Sequence, residues 1–463
     1  MADPSYDLVV IGAGPGGYTA AVRAADLGMS VACVDRGWLG GTCLQVGCIP
    51  SKALLESSER FAEVQAGFDD HGIALSQPEL DLSAMMARKS RIVDTMTKGV
   101  AWLFADKKVE YVEGSAHVPN PGRVDVERAD GSTTMLRAQR ILLATGSVPA
   151  QLPDLPFDGE RIISSNEALS LTRVPERLIV VGAGAIGLEM GSVWSRLGAE
   201  VRVVEFLDSI LPGMDAEITK QGQRVLSRQG LSFDLGTRAT GAEVFADGVR
   251  LSLVHRDGDK ERVEECDLVL VAVGRRSTAV DLDLDKLGVK SDDRGLVAVN
   301  GDYATNVVGI YAIGDLVPGP MLAHKAEAEG VVAVERMAGY GSSVNYDAMP
   351  AVVYTHPEVA AVGLSEEAAQ EAGYDVQIGK HQFRANGRAY AMDCLDGFVK
   401  VVADAASDRV LGMHILGPQA SHLIAEGVLA IELSASVEDL ARTVHAHPSL
   451  SEVIKEAAWH IAE

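Results

Sequence analysis

The pattern of apolar and polar residues near the N-terminus predicts a strand, a helix and a second strand. A short apolar run at residues 6–11 is typical of a buried strand. Residues with helical periodicity follow it through Leu27 and stop at Gly28. A second apolar run at residues 30–34 then ends in Asp35. We therefore expect a βαβ unit that closes on an acidic side chain.

The turn between the first strand and the helix carries three glycines, Gly12, Gly14 and Gly17. In a Gly-x-Gly-x-x-Gly turn the first glycine allows the tight bend, the second lets a pyrophosphate approach the backbone, and the third packs the helix on the strand. The helix N-terminus then faces the phosphates, and Asp35 can accept hydrogen bonds from ribose hydroxyls. Because the flanking strands, helix and acid are all present, the motif predicts a dinucleotide site.

The same arrangement recurs at residues 178–205. Its glycines are Gly182, Gly184 and Gly187, and its second strand ends in Glu205. Two such sites predict two dinucleotides, for which a flavin and a nicotinamide are the natural pair; the alternative is a duplicated fold with one inactive site. Glu205 would repel a 2′-phosphate and residues 206–208 offer no Arg or Lys, so NAD is favoured over NADP.

Three further apolar runs end in glycine turns. These turns contain Thr145 with Gly146, Gly274, and Asp315. In open α/β sheets the carboxyl ends of strands are where ligands bind. We therefore expect cofactor contacts at these turns, although an ordinary surface turn is the alternative for Asp315.

Cys43 and Cys48 are separated by four residues within the segment 40–52. Pro50 suits the first turn of a helix that the following residues predict. A cysteine at a helix N-terminus has a lowered pKa, because the helix dipole favours the thiolate. The pair can therefore cycle between disulfide and dithiol. A structural disulfide is the alternative, and a metal pair is disfavoured because no Cys or His pair at zinc-ligand spacing lies nearby.

The last segment, from residue 346, has a different pattern. Strand-like runs, alternating at 397–402 and 409–415, precede two helical stretches, and no glycine motif is present. This pattern predicts an α+β domain. Near its end, His447 is followed by Glu452 across a proline turn, and such a pair can act as an oriented acid–base couple. A surface turn and a chance metal pair are the alternatives.

Length and charge narrow the class of protein. A chain of 463 residues suggests about three domains, and a net charge of -24 argues against nucleic-acid binding, which needs a basic surface. No apolar stretch reaches membrane-spanning length and no basic region precedes the first apolar run, so we expect a cytoplasmic protein without a signal peptide. Cys33, Cys266 and Cys394 are expected to be small core residues, because apolar runs flank them.

With these segments in hand, the chain resembles the pyridine nucleotide–disulfide oxidoreductases from about residue 5 to the C-terminus. The likeness rests on residues 40–52, both glycine motifs, residues 311–315 and residues 445–452, in the family's order. It implies an α/β fold with two dinucleotide-binding (Rossmann-like) domains, for FAD and NAD, and a C-terminal α+β dimerisation domain. The implied divisions are 1–150 (FAD domain, first part), 151–276 (NAD domain), 277–345 (FAD domain, second part) and 346–463 (interface domain).

The resemblance also assigns cofactor-binding residues. Those for FAD are Gly12, Gly14, Gly17 and Asp35 at the pyrophosphate and ribose, Asp315 at the ribityl chain, Lys52 beside the flavin with Glu189 as its partner, and Met321, Ala323 and His324 on a flavin-adjacent helix. Those for NAD are Gly182, Gly184, Gly187 and Glu205, and the remaining cofactor-binding residues are Thr145, Gly146 and Gly274.

By the same resemblance, Cys43 exchanges with the substrate and Cys48 faces the flavin. His447, oriented by Glu452, is the general base and comes from the other subunit of a homodimer. The implied substrate is a dihydrolipoyl group on a lipoylated acyltransferase or lipoyl carrier protein, with NAD reduced to NADH. The alternatives are a glutathione-reductase-like enzyme, which Glu205 disfavours, and a chain that acts mainly as a docking subunit of a multienzyme complex.

Overall fold

The structure, a computed structural model, describes residues 4–258 and 260–462 and forms two compact units. The first unit contains the chain up to Ala53, Ser83–Ala150 and Gly274–Val344. The second contains Leu54–Leu82, Gln151–Val273 and the chain from Asn345 onward. The chain therefore leaves the first unit and returns to it twice.

The strands are divided between the two units. In chain order they are β1 (Ser5–Ile11), β2 (Val31–Asp35), β3 (Glu110–Glu113), β4 (Ser115–Asn120), β5 (Arg123–Glu127), β6 (Thr133–Leu143), β7 (Ser147–Pro149), β8 (Ile162–Ile163), β9 (Arg177–Val181), β10 (Glu200–Val204), β11 (Ser232–Asp234), β12 (Thr237–Phe245), β13 (Gly248–His255), β14 (Glu261–Cys266), β15 (Leu268–Val271), β16 (Arg275–Ser277), β17 (Ile310–Ala312), β18 (Ala351–Val353), β19 (Glu358–Gly363), β20 (Val376–Gln382), β21 (Phe398–Asp404) and β22 (Val410–Gly417).

The helices range from single turns to long rods. In chain order they are α1 (Pro15–Asp26), α2 (Gly41–Val46), α3 (Cys48–Ala66), α4 (Leu82–Lys107), α5 (Ser165–Ala168), α6 (Ala185–Arg196), α7 (Ala216–Arg228), α8 (Ala323–Met337), α9 (Glu366–Glu371), α10 (Gly387–Ala391), α11 (Ala420–Glu432), α12 (Val437–Arg442) and α13 (Glu452–Ala462). Within the described residues, none of them is both long and apolar enough to cross a bilayer.

A parallel sheet in the order β3-β2-β1-β6 forms the centre of the first unit, and β17 pairs with the C-terminal end of β6. The N-terminal part of β6 pairs antiparallel with β5, which pairs with β4. Along β1 the side chains alternate between two core clusters, with Leu8 and Val10 in one and Val9 and Ile11 in the other. The predicted βαβ unit is confirmed as β1, α1 and β2.

Helix α8 lies directly against α1. A Cβ atom at Gly330 would come within 2.6 Å of Gly16 O, and one at Gly16 within 2.9 Å of Ala326 O. Since real Cβ atoms do not approach so closely, only glycine permits this crossing. The segment after Gly274 therefore adds a strand, β17, and a helix, α8, to the first unit.

Three sheets build the second unit. A parallel sheet in the order β11-β10-β9-β15-β8 contains the second predicted βαβ unit, confirmed as β9, α6 and β10. An antiparallel sheet β12-β13-β14 follows it in the chain, and the C-terminal antiparallel sheet has the order β18-β19-β22-β21-β20. This mixture of parallel sheets, antiparallel sheets and helices is the expected α/β class with a C-terminal α+β part.

The C-terminal sheet differs from its sequence pattern in two ways. The predicted alternation at 397–402 is wrong, because every position of β21 is buried. Helix α13 covers this part of the sheet closely, since a Cβ atom at Gly379 of β20 would lie 2.0 Å from Ala457 O. Three helices, α11, α12 and α13, stand where two were predicted.

The cysteines outside the predicted redox pair are not all core residues. Cys33 and Cys266 are buried, as predicted. The prediction is wrong for Cys394, which is half-buried in the loop between α10 and β21. Its thiol donates to Met392 O at 3.2 Å, so a loop, and not a strand, surrounds it.

Candidate active site

The first glycine loop connects β1 to α1. Gly12 has a φ of +105°, and a Cβ atom there would lie 2.3 Å from Ala144 O, so the loop passes directly over the end of β6. Helix α1 begins after Gly14 with no side-chain cap and no acidic residue in its first turn. Its first N–H groups are therefore left to an anion, which the helix dipole favours. The loop fits a pyrophosphate.

Asp35 closes this loop from the end of β2. Its Oδ2 accepts from Ala13 N at 2.8 Å, and its Oδ1 accepts from Trp38 N at 2.8 Å. The carboxylate is thus fixed beside the glycine turn, where the sequence predicted a ribose contact.

The cysteine segment packs on the same loop. Gly41 has a φ of +61°, and a Cβ atom there would lie 2.4 Å from Gly14 Cα. Gly40 N also donates to Ala13 O at 2.9 Å. The backbone that leads to Cys43 therefore covers the loop at van der Waals distance.

The second glycine loop has the same internal geometry. Gly182 has a φ of +110°, and a Cβ atom there would lie 2.5 Å from Ala272 O. Helix α6 begins after Gly184, also without a side-chain cap or an acid in its first turn. Glu205 Oε2 accepts from Ala183 N at 2.7 Å, and its Oε1 from Leu207 N at 2.9 Å. This loop fits a second dinucleotide.

Cys43 and Cys48 lie on two consecutive helices. Cys43 is in α2 and Cys48 is the first residue of α3, with Gly47 between them. A Cβ atom at Gly47 would lie 2.8 Å from Thr42 O, so glycine allows the two helices to meet. Both cysteines are thiols in this structure, and a hydrogen bond with Cys48, together with burial, raises the pKa of the Cys43 thiol. The lowered pKa expected at a helix N-terminus therefore does not apply to Cys43.

A half-buried cation that the sequence analysis missed, Arg275, interacts with this pair through Cys48. Burial lowers the pKa of the Arg275 guanidinium, and the negative charges of Asp315 and Cys48 oppose that shift. Arg275 Nε donates to Ser147 Oγ at 2.7 Å, and Ser147 Oγ donates to Asp315 Oδ2 at 2.5 Å. In the sequence, Arg275 was marked only by its position next to Gly274. The pairing of β16 with β7, which brings Arg275 to Ser147, has no signal in the sequence.

A carboxylate, also missed, lies on the side of Cys43. Tyr18 OH donates to Glu327 Oε1 at 3.2 Å. Burial and the Glu327 carboxylate raise the pKa of Tyr18, and the charge of Glu327 contributes to the raised pKa of Cys43. Negative charge is therefore disfavoured on Cys43, whereas Arg275 interacts favourably with negative charge on Cys48.

The predicted turn residues of the first unit fall at strand ends. Asp315 follows β17, and the hydroxyl groups of Thr145 and Thr278 are 2.8 Å apart just beyond β6. Gly146 has a φ of +75°, and Gly274 O accepts from Ala150 N at 3.0 Å. Of the residues predicted on a flavin-adjacent helix, Ala323 and His324 begin α8, whereas Met321 lies two residues before it.

Lys52 and Glu189 belong to different units. Lys52 lies on α3 within the first unit, and Glu189 is buried on α6 within the second. Glu189 Oε1 accepts from Tyr354 N at 3.0 Å. Their expected pairing stays a prediction.

The predicted acid–base pair near the C-terminus is formed. His447 Nδ1 lies 2.9 Å from Glu452 Oε1, and Glu452 Oε2 accepts from Ser449 N at 2.8 Å. The bond from Ser449 N and the bond from His447 lower the pKa of the Glu452 carboxyl. With its side chain 81% exposed, His447 presents Nε2 to solvent. The neighbouring His445 is buried against Glu426, at 2.8 Å, so the two histidines do not form a pair.

Metal binding is not supported by the described residues, which contain no group of three or more His, Cys, Asp or Glu side chains placed to hold an ion. Each unit carries one dinucleotide loop; the first unit also holds the thiol pair, with Arg275 and Glu327 beside it, and the second holds the exposed His–Glu couple. Such a set suits transfer of an electron pair between a dithiol and a nicotinamide.

Comparison with known proteins gives the same picture. The family model described as pyridine nucleotide-disulphide oxidoreductase matches residues 6–330, and the model of that family's dimerisation domain matches residues 349–458. The chain is 49% identical to dihydrolipoyl dehydrogenase 3 of Pseudomonas aeruginosa, over 99% of this chain and 98% of that one. It is 49% identical to mitochondrial dihydrolipoyl dehydrogenase of Pisum sativum, over 98% and 90%. The crystal structure of LpdA from Mycobacterium tuberculosis is similar with a TM-score of 0.91, 29% identity and coverage of 98% and 99%.

Proposed function

The chain belongs to the pyridine nucleotide–disulfide oxidoreductases, and we propose that it oxidises protein-bound dihydrolipoyl groups and reduces NAD to NADH. As a member of this family it uses FAD and NAD. The observation that carries the proposal is the thiol pair Cys43 and Cys48 packed on the first of two dinucleotide loops. Relatives of about half identity over almost the whole chain are dihydrolipoyl dehydrogenases.

Both cofactors fit residues already described. The loop from Gly12 to Gly17 with Asp35 would hold the FAD pyrophosphate and ribose, and the loop from Gly182 to Gly187 with Glu205 would hold NAD. Bound there, FAD would supply a two-electron acceptor for the reduced cysteines and a hydride donor for NAD.

The side chains of the protein carry out the exchange that precedes this transfer. His447 accepts a proton from one dihydrolipoyl thiol, and the resulting thiolate attacks Cys43 Sγ of the oxidised pair. The Cys43–Cys48 bond breaks, and Cys48 Sγ leaves as a thiolate. The second substrate thiol then attacks the substrate sulfur of the mixed disulfide, so that oxidised lipoyl departs, and Cys43 Sγ leaves and takes up the proton that this thiol gives up.

Charges around the pair favour this division of roles. Glu327, which accepts a hydrogen bond from Tyr18, lies on the side of Cys43, where its charge disfavours a thiolate. Arg275 interacts with negative charge on Cys48, which also stands at the N-terminus of α3. Attack at Cys43 therefore releases the sulfur whose charge the protein stabilises.

Purified protein should reduce NAD with dihydrolipoamide and should use NADP poorly. Glutathione disulfide with NADPH is the control, because the glutathione-reductase alternative predicts turnover there. An enzyme that turns over glutathione but not dihydrolipoamide would overturn the proposed substrate while leaving the roles of the cysteines intact.

Two substitutions test the residue assignments. Cys48→Ser should abolish turnover and the long-wavelength absorbance of a thiolate beside a flavin. His447→Gln should slow dithiol oxidation by about 100-fold or more, as loss of a general base does. Turnover in Cys48→Ser, or an unchanged rate in His447→Gln, would reassign the sulfur or the base.

The assembly is proposed at two levels. The dimerisation-domain match supports a homodimer. We further propose that His447 serves the cysteines of the partner subunit and that the dihydrolipoyl group arrives on a lipoylated acyltransferase or lipoyl carrier protein. Mixed dimers of Cys48→Ser and His447→Gln chains test the first point, because one of their two sites would regain both groups. Cell fractionation tests the proposed cytoplasmic location.

A further inference from the structure

Helix α8 carries two fully buried charged residues one turn apart, Lys325 and Glu329. Their side chains are 1% and 0% exposed, and Lys325 Nζ lies 3.1 Å from Glu329 Oε1. Desolvation of two charges costs several kcal/mol per ion, so apolar residues of similar size often give equal stability. Stability alone therefore does not account for the pair.

Both side chains bind the main chain of one residue, Gly314. Lys325 Nζ donates to Gly314 O at 3.0 Å, and Gly314 N donates to Glu329 Oε2 at 2.7 Å. Gly314 has a φ of +69°, and a Cβ atom there would lie 3.1 Å from Ala326 Cβ. One turn of α8 thus fixes both polar groups of this peptide segment.

The clamped residue immediately precedes Asp315. On the other side, Ser147 Oγ donates to Asp315 Oδ2 at 2.5 Å, and Arg275 holds Ser147 through Nε to Oγ and Nη2 to O, both at 2.7 Å. The backbone before Asp315 is therefore held by α8, and its carboxylate by Ser147.

We propose that Lys325 and Glu329 are positioning residues of the flavin site, whose ion pair clamps the Gly314–Asp315 turn and so sets where Asp315 meets FAD. The pair acts through the turn and does not itself contact the cofactor. The inference rests on the proposed function only for the identity of the bound flavin.

The first test is Lys325→Met, with the dissociation constant of FAD and the flavin visible spectrum as readouts. We expect FAD to bind at least tenfold more weakly and the spectrum to shift, because the turn loses one of its two anchors. Glu329→Gln keeps the shape and an acceptor oxygen, so it should give a smaller change in the same direction. Unchanged FAD affinity in both variants would overturn the proposal.

A double substitution separates positioning from stability. Lys325→Met with Glu329→Leu removes both charges, so it should regain much of the thermal stability lost in Lys325→Met. FAD affinity should stay low, because Gly314 N and Gly314 O then have no side-chain partner. If affinity recovers together with stability, the pair has a purely structural role.

Lys400→Met is the matched control. Lys400 is 2% exposed in the second unit, with Nζ 2.8 Å from Asp215 Oδ2 and 2.7 Å from Glu366 Oε2. Its loss also leaves the buried Asp215 carboxylate without its cation and should lower thermal stability. FAD affinity of the folded protein should change by less than about twofold, because effects at separate sites are nearly independent.

A double-mutant cycle with Asp315→Asn completes the test. If Lys325 acts through Asp315, the loss of FAD affinity in Lys325→Met with Asp315→Asn should be smaller than the product of the two single losses. If the loss in the double variant equals the product of the two single losses, Lys325 acts independently of Asp315. FAD binding is measured without dihydrolipoyl substrate, so failure of the proposed substrate would leave this result unaffected.

Discussion

The two glycine loops of this chain share an internal geometry but differ in what covers them. In both, the first glycine has a φ near +105° to +110°, and the third packs against its carbonyl. Gly41 of the cysteine segment lies against Gly14 of the first loop. Leu211 N reaches the second loop at Ala183 O, at 2.9 Å, but a Cβ atom at Gly184 would have no described atom within 4 Å, so this loop is open at Gly184.

This difference matches the residence time that each dinucleotide needs. In the proposed mechanism FAD must stay bound through many cycles, because it would receive electrons from the cysteines each time, whereas NAD must leave after every hydride transfer. A loop covered by a neighbouring segment slows dissociation, and an open loop permits exchange. The same motif can therefore serve a resident and an exchanging cofactor, depending on what packs over it.

The largest effect is expected when alanine replaces Gly41, which covers the first loop, and the same change at Gly184 in the open second loop should have a much smaller effect on FAD. Gly41→Ala combines a positive φ with a contact of 2.4 Å to Gly14 Cα, so we expect most of the protein to purify without FAD. Gly184→Ala fits its backbone, with φ −77°, and should retain FAD while raising the KM for NAD by about tenfold through crowding of the pyrophosphate. Absorbance ratios and steady-state kinetics measure both outcomes; equal FAD loss would refute the comparison.

Substitutions in helices α8 and α6 should have the next largest effects. Gly330→Ala would place Cβ 2.6 Å from Gly16 O where α8 crosses α1, so we expect the free energy of unfolding to fall by about 1–3 kcal/mol. A Cβ atom at Gly191 on α6 would have no neighbour closer than 3.5 Å, so Gly191→Ala should be neutral or stabilise the protein by up to about 1 kcal/mol. Denaturant titrations measure the free energy of unfolding of both variants. Similar losses would mean that α6 is packed as closely at Gly191 as α8 is at Gly330.

The smallest effect concerns the choice of nicotinamide at the open loop. Asp208, three residues after Glu205, forms an ion pair with Arg256, a cation that the sequence analysis did not place there. Asp208→Ala should leave Arg256 with only the longer contact to Asp257, at 3.9 Å, so that it can attract a 2′-phosphate and raise the relative use of NADP by about two- to fivefold. An unchanged ratio of kcat/KM for NADP and NAD would show that Glu205 alone sets the preference.

Features encoded locally were predictable. Strand, glycine turn, helix and acid follow one another within each βαβ unit, so the pattern alone located β1 to β2 and β9 to β10. The pairing of His447 with Glu452 was also predictable, because five residues and one proline turn separate them.

Features that depend on distant segments were not predictable. Arg275 meets Ser147 across 128 positions, and Tyr18 meets Glu327 across 309, so no local periodicity signals either contact. Burial of every side chain in β21 likewise needs distant segments on both faces of the strand: α13 packs on Val399 and Val401, and Lys400 meets Asp215. The charges around the cysteines are thus a product of the tertiary fold.

The late return of β17 and α8 has a consequence for synthesis on the ribosome. The sheet with the second glycine loop ends with β15 at Val271, so its strands are all available before β17 and α8 have been made. The first glycine loop lacks its clamped Asp315 turn and its α8 neighbour until about 200 further residues have followed β6, roughly ten seconds or more of translation. With FAD in the first loop, as proposed, its site is complete only after α8 has been made up to Met337 of the 463 residues. When riboflavin is scarce, the expected product is a chain with a folded second unit and a loose first unit, which is a ready substrate for proteases.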